Sequence, residues 1–288
     1  MSKYALRLFF TAVFVFLFTS LYSMDWPTRD AVLLRNFAWN DSGRPVLGMV
    51  FSGGSEVFAA ETGEVIFSRS AADNVSRLPS PLGAWTALDH GDGLISIYSR
   101  YGEENAVPAY IERQSPIAAS GISGWSETNG FYFMLYDRRD RSWINPALIV
   151  TPVLNTQPPQ ILAVNLQNAQ GVTLNSEQLR NMSQGRYKVT VRTTGAAGTR
   201  ENLLAPYRIV CSINGAEAGS LNFESISARD GVLMVLRNGL VPARQVFLPY
   251  PAYEAAEVFL NRGQASLEII VQDIAGNSRR ALTRIIIN

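Results

Sequence analysis

The chain has one histidine and one cysteine in 288 residues, and only 17% of its residues are charged. The first shortage excludes most transition-metal sites. A structural zinc takes about four N or S ligands and a catalytic zinc about three protein ligands, drawn mostly from His and Cys. A lone Cys211 makes no internal disulfide, so no covalent staple holds the fold. In Arg208-Ile-Val-Cys-Ser-Ile213 it reads as a small buried hydrophobe on a strand. Lys and Arg number 25 against 24 Asp and Glu, which removes the electrostatic footprint of a general nucleic-acid binder. At 47% hydrophobic residues the chain is not disordered, and its length suits one large domain or two ordinary ones.

Catalytic signatures are equally scarce. The one histidine, His90, stands in Asp89-His-Gly-Asp-Gly93, where a carboxylate could orient it, but no Gly-x-Ser-x-Gly elbow accompanies it. The phosphate-cradling Gly-x-x-x-x-Gly-Lys-Ser/Thr is absent, as is a Gly-x-Gly-x-x-Gly after a strand. No Asp-x-Asp-x-Asp calcium loop is visible. Glu and Asp are scattered, so no carboxylate pair for glycoside hydrolysis is singled out.

What is present begins with an address. Lys3 and Arg7 precede an apolar run from Leu8 to Phe18, and Leu21-Tyr22-Ser23 ends in a small residue. A run of about 11 residues is too short for the roughly 20 that span a bilayer, so residues 1–23 are expected to be a secretory signal cleaved near Ser23; the alternative is an uncleaved N-terminal anchor, since Leu21 is a poor cleavage-site residue. No cysteine near that point offers a lipid anchor. No membrane span is expected after cleavage.

The remainder divides near Leu154, where Asn155-Thr-Gln-Pro-Pro-Gln160 suits an extended linker. Domains over 24–154 and 155–288 follow. Short β-branched and aromatic runs separated by Gly, Ser, Asp and Asn predict strands before it at Leu47–Phe51, Gly63–Phe67, Ala84–Leu88, Leu94–Tyr98 and Gly130–Tyr136. After it they predict strands at Gln160–Leu166, Gly185–Arg192, Tyr207–Ile213, Gly231–Leu236, Arg244–Pro249, Ala265–Gln272 and Ala281–Ile287, a count that suits an immunoglobulin-like β-sandwich. Helices are expected only at Tyr253–Leu260 and Asp30–Phe37. The phrase Leu267-Glu-Ile-Ile-Val-Gln-Asp-Ile-Ala-Gly-Asn277 reads as a strand and the turn of a closing hairpin, and it resembles the ending of many bacterial immunoglobulin-like modules. The fold class is therefore all-β.

Residues 45–150 carry an ordered set of motifs. Val57-Phe-Ala-Ala-Glu-Thr-Gly-Glu-Val65 is followed by Trp85–Leu88 leading to His90-Gly-Asp-Gly-Leu-Ile-Ser-Ile-Tyr98. Ser115-Pro-Ile-Ala-Ala-Ser-Gly121-Ile-Ser-Gly124, Phe131-Tyr-Phe-Met-Leu135 and Asn145-Pro146 come next. In this order they resemble the lysostaphin/LytM-type zinc metallopeptidase domain, a duplicated-hybrid-motif β fold that cuts peptidoglycan cross-links. The resemblance implies where the family's chemistry would fall. Its first zinc His falls at Val46 and its zinc Asp at Val50. The His of Tyr-x-His falls at Arg100, after Tyr98. The closing His pair, one catalytic and one metal-binding, falls at Phe131 and Phe133. His90 matches a family His that does not bind metal.

Isopropyl and phenyl groups donate no lone pair to zinc, and an Arg is no general base at neutral pH. The resemblance with these departures implies a non-catalytic relative with no cofactor, exported to the periplasm or cell surface. It would bind peptidoglycan or regulate a cell-wall hydrolase. Val46, Val50, Phe131 and Phe133 are expected to fill the old metal floor with about 2 kcal/mol of burial each. A partner is expected near a vestigial groove of Arg100, Tyr98, His90 and Phe131, with Arg100 free to pair with a carboxylate. The alternative is a structural or adhesive surface protein in which both β domains are interaction modules.

Overall fold

The computed structural model describes residues 24–70, 80–102, 107–151, 157–175, 178–195, 204–249 and 252–288. The signal segment and Asn155–Thr156 of the expected linker lie outside the described residues.

The chain is nearly all β. Before residue 150 run β1 (Val32–Arg35), β2 (Asn40–Asp41), β3 (Arg44–Pro45), β4 (Met49–Ser52), β5 (Glu56–Phe58), β6 (Gly63–Arg69), β7 (Ala84–Asp89), β8 (Leu94–Tyr101), β9 (Tyr110–Ile111), β10 (Pro116–Ala119), β11 (Gly130–Asp137) and β12 (Ser142–Ile144). After it run β13 (Gln160–Asn168), β14 (Thr173–Leu174), β15 (Gly185–Thr194), β16 (Arg208–Ile213), β17 (Ala216–Arg229), β18 (Val232–Arg237), β19 (Leu240–Pro242), β20 (Tyr253–Leu260), β21 (Gly263–Gln272) and β22 (Ser278–Ile287). One helical turn, α1 (Ala243–Val246), precedes β20.

Three expectations change. Asp30–Phe37 holds strand β1, because Val32 to Arg35 pair with β4. Tyr253–Leu260 is rich in Glu and Ala and so leans to helix, but it pairs with β15 along its length as β20; tertiary pairing overrides a weak local preference. The strand expected at Arg244–Pro249 is instead entered by α1. The closing hairpin is present as β21 and β22. Its turn is held by the Asp273 carboxylate, which accepts from Asn277 N at 2.9 Å and Asn277 Nδ2 at 2.9 Å.

One 14-stranded sheet runs through both halves in the order β22-β21-β16-β17-β12-β11-β8-β7-β6-β9. The crossing point is β12 against β17, with Trp143 opposite Ile226. Asn145 secures it: its N–H donates to Glu224 O at 2.8 Å and its Nδ2 to Phe223 O at 3.0 Å. The segment between β1 and β4 adds a second attachment. Asn40 Nδ2 donates to Leu248 O and Ala252 O, both at 2.9 Å, and Phe37 and Ala38 join the hydrophobic core of the second half.

In the second half a four-stranded sheet, β14-β13-β15-β20, faces the β22-β21-β16-β17 part of the large sheet. Leu166, Val189, Val191, Ala256 and Leu260 on one side meet Ile209, Phe223, Leu267, Ile269 and Ile285 on the other. Cys211 is fully buried among them, and burial pushes its thiol up to about 12. A thiol in that state packs as a hydrophobe.

Glu254 is 3% exposed and is held by Arg237 Nη1 at 2.6 Å and Lys188 Nζ at 3.0 Å. Removing one partner of a buried ion pair leaves an uncompensated charge, which costs about 3–5 kcal/mol. Glu254→Ala is therefore expected to lower the free energy of urea unfolding by about 3 kcal/mol, read as a lower midpoint at unchanged slope. An unchanged midpoint would show that the triad adds nothing to stability.

Candidate functional site

Strand β11 is buried over almost its whole length and pairs with β8 on one side and with β4 and then β12 on the other. Because side chains alternate along a strand, its residues sort onto two faces. The inner row reads Met49, Phe133, Tyr98, Thr86 and Ser68 across five strands. Phe131 stacks on Phe51 at 4.7 Å, and Tyr98 packs against Phe133 at 5.2 Å. All four rings are fully buried in the first hydrophobic core. The outer row reads Arg69, Trp85, Ser99, Tyr132, Val50 and Arg35 across six strands.

The expected convergence of Val46, Val50, Phe131 and Phe133 on one floor does not occur. Phe131 and Phe133 point into the core, whereas Val50 stands on the opposite face beside Tyr132. Val46 is half-buried just before β4, its N–H donating to Trp39 O at 2.9 Å. The four groove residues do not share a surface either. Tyr98 and Phe131 are enclosed in the core, and Arg100 lies over the Tyr132 ring at 5.0 Å on the other face.

Tyr132 is the residue of this face that sequence reading missed. Its position between two Phe residues in an unbroken apolar run gave no period to separate the faces. Its ring is nearly buried, its hydroxyl accepts from Leu47 N at 2.8 Å, and burial raises its phenol. Gly48 allows this packing: a Cβ there would lie 2.2 Å from Phe133 O and 3.0 Å from the Tyr132 ring.

Arg100 reaches the outer face through a backbone irregularity. The pairing of β7 with β8 slips between Ala84 and Trp85, and Arg100 takes φ +62°. Such a bulge re-aims one side chain out of the alternation. The guanidinium is half-buried and its Nε has no hydrogen-bond partner. Burial is the main influence lowering its pKa, with Tyr132 opposing and Arg35 adding to the effect. The group nonetheless stays protonated at neutral pH. An aromatic strip, with Phe67 stacked on Trp85 at 4.2 Å, continues beside it, and Phe67 is 46% exposed.

A metal of the kind the sequence resemblance implies does not fit this face. Val46 and Val50 offer no donor atom, Arg100 is cationic, and the Tyr132 phenol is held protonated. Among the described residues no three His, Cys, Asp or Glu side chains gather as a metal site.

His90 has a different role. Its Nδ1 lies 2.8 Å from Thr62 O and its Nε2 lies 2.7 Å from Ser96 Oγ, which is 3.2 Å from Tyr98 Oη. A carbonyl only accepts, so Nδ1 carries the proton of the neutral ring. Gly63 leaves room for it, since a Cβ there would meet Nδ1 at 2.9 Å. The ring ties the β7–β8 turn to the loop before β6. Desolvation lowers its pKa, against smaller raising effects from Thr62, Glu61 and Asp89.

The folded-state pKa thus lies below the unfolded value of 6.5. The unfolded chain binds the proton more readily, so stability is full above pH about 6.5 and falls as the pH drops through the folded pKa. Urea unfolding between pH 8 and pH 5 should show this loss, and His90→Gln should flatten it. An identical slope in the variant would place the pH dependence elsewhere.

A protein-family model matches residues 158–288, the second half of the chain. No curated protein matches the chain. Among solved structures it is similar to a chain of the SpoIIQ–SpoIIIAH pore-forming complex, with 20% identity over 46% of this chain and 95% of that one and a TM-score of 0.37. It is similar to the catalytic domain of the prophage-encoded M23 protein EnpA from Enterococcus faecalis, with 18% identity over 42% and 94% and a TM-score of 0.35. It is also similar to the antimicrobial peptidase lysostaphin from Staphylococcus simulans, with 13% identity over 74% and 86% and a TM-score of 0.35.

Proposed function

We propose that this chain is an exported, non-catalytic LytM-like protein of the cell envelope. In this reading the outer face of β4, β8 and β11 holds a peptide or protein ligand where the family holds zinc. Residues 1–23 act as the export signal. Residues 24–154 form the peptidase-like domain and residues 155–288 an immunoglobulin-like module. No helix among the described residues is long and apolar enough to cross a membrane.

The observation that supports this most is the chemistry of the outer row. Val50, Tyr132 and Arg100 meet on one face, and none can serve a hydrolytic metal. With the closing motif read one residue earlier, Tyr132 rather than Phe133 stands for the last metal-binding His, and it faces Val50 as that His would face the Asp. A one-residue slip of register moves every side chain of a strand to the other face. A peptidase-like sheet with an aromatic strip and an unpaired guanidinium is suited to carboxylate-bearing peptide, the chemistry of peptidoglycan stems or of an acidic protein segment.

The second reading, a structural or adhesive surface protein, draws on the sheet that passes unbroken through both halves. Purified mature protein separates the two. We expect no stoichiometric zinc, no sacculus hydrolysis with added zinc, and retention on purified sacculi or on an envelope hydrolase. Arg100→Ala should weaken that retention by at least about tenfold, the equivalent of ~1.5 kcal/mol for one charge-assisted hydrogen bond. One zinc per chain with chelator-sensitive cleavage would overturn the non-catalytic reading. Retention indifferent to Arg100→Ala would move the ligand off this face.

A further inference from the structure

β22 ends the 14-stranded sheet and pairs with β21 in unbroken register from Gly263–Ile287 to Gln272–Ser278. Among the described residues its far side is hydrogen-bonded only at the C-terminal end, where Met182 N donates to Ile286 O at 3.0 Å and Asn288 N donates to Met182 O at 2.7 Å. Those two bonds fix the phase of the strand. The N–H and C=O of Ile286 point away from β21, and so, by alternation, do those of Arg284, Leu282, Arg280 and Ser278. Among the described residues nothing pairs with these last four. The other long edge, β20, is by contrast nearly buried, its Ala255 and Ala256 lying against Gly219 of β17.

The side chains on this open stretch select what can pair with it. Arg280, Leu282 and Arg284 share one exposed face, and Leu282 is 60% exposed. Glu268 on β21 forms an ion pair with Arg280, which leaves Arg284 without an acidic partner there. A second copy added antiparallel about Leu282 would set Arg280 against Arg284 twice. Like charges directly opposite destabilise a strand pair, and charged residues on an open edge are a usual guard against self-association. An incoming strand with carboxylates at the same alternate positions would instead meet both guanidiniums while completing the main-chain ladder.

We propose that the open edge of β22 is a strand-addition site for an extended segment of a partner protein carrying acidic side chains at alternate positions. The mode is β-augmentation, in which main-chain bonds give affinity and alternate side chains give specificity. It is independent of the outer-face site in the first half.

The test uses the mature chain and two labelled eight-residue peptides, one alternating Glu with Val and one alternating Lys with Val, read by fluorescence anisotropy. The Glu peptide should bind at least tenfold tighter than the Lys peptide, and Arg280→Glu with Arg284→Glu should reverse the order. Leu282→Pro removes an outward N–H that β21 does not use, a placement proline tolerates on edge strands. It should abolish binding with the thermal midpoint unchanged. Should that variant not fold, N-methylation of alternate residues of the Glu peptide makes the same cut from the ligand side. Equal binding of both peptides, or undiminished binding of the N-methylated one, would overturn the proposal. A concentration-dependent dimer of the wild-type chain, lost with the double Glu variant, would assign the edge to a second copy and overturn it as well.

Discussion

The register of β11 is the constraint on which the rest of the first half depends. Gly130 to Asp137 are hydrogen-bonded to neighbours on both sides and covered on both faces, so the strand cannot slide by one residue without inverting every contact it makes. That register puts Phe131, Phe133 and Leu135 into the core with Phe51 and Tyr98, and sets Tyr132, Met134 and Tyr136 on the opposite face, where Tyr132 and Met134 are also buried. The core gains several buried rings, of which Phe51 and Phe131 stack, worth about 2 kcal/mol of burial apiece. The outer face is left with whatever chemistry the alternate positions supply, and here they supply an aromatic strip and an arginine.

Continuity of the sheet has consequences for how the halves behave. A β12–β17 ladder reinforced by Asn145, with the segment around Asn40 reaching Leu248 and Ala252, ties one hydrophobic core to the other through main-chain hydrogen bonds. Such bonds are hard to break without leaving buried polar groups unpaired, so the halves should move as one body on the timescale of ligand exchange. A ligand at the outer face and a strand at the β22 edge would then be held at a fixed separation. That geometry suits a scaffold joining two ligands better than it suits a flexible tether.

Two unusual polar features sit off the outer face and act through structure. His90 bridges Thr62 O and Ser96 in its neutral form, so the chain's one titrating imidazole serves as a turn fastener whose strength varies with pH. Glu254 with Arg237 and Lys188 anchors β20 beneath β18 in the second half. Neither lies beside Arg100, whose Nε stands out as a buried donor left unpaired on that face.

Much of the fold was legible in the residues. Short alternating runs gave most of the long strands of both halves, β17 and β20 excepted, and the Asp273–Asn277 turn announced the last hairpin. What could not be read was whatever depends on partners distant in sequence. Tyr253–Leu260 has the composition of a helix and becomes a strand only because β15 is there to pair with it. The polar, irregular β17 carries no clean period and is defined by β16 on one side and by β12 and β18 on the other. In Phe131-Tyr-Phe-Met-Leu135 every residue is apolar or aromatic, so alternation of hydrophobicity, the signal that separates faces, is silent. Only the pairing with Phe51 and Tyr98 decides that Tyr132, and not its neighbours, lies under Arg100 on the other face.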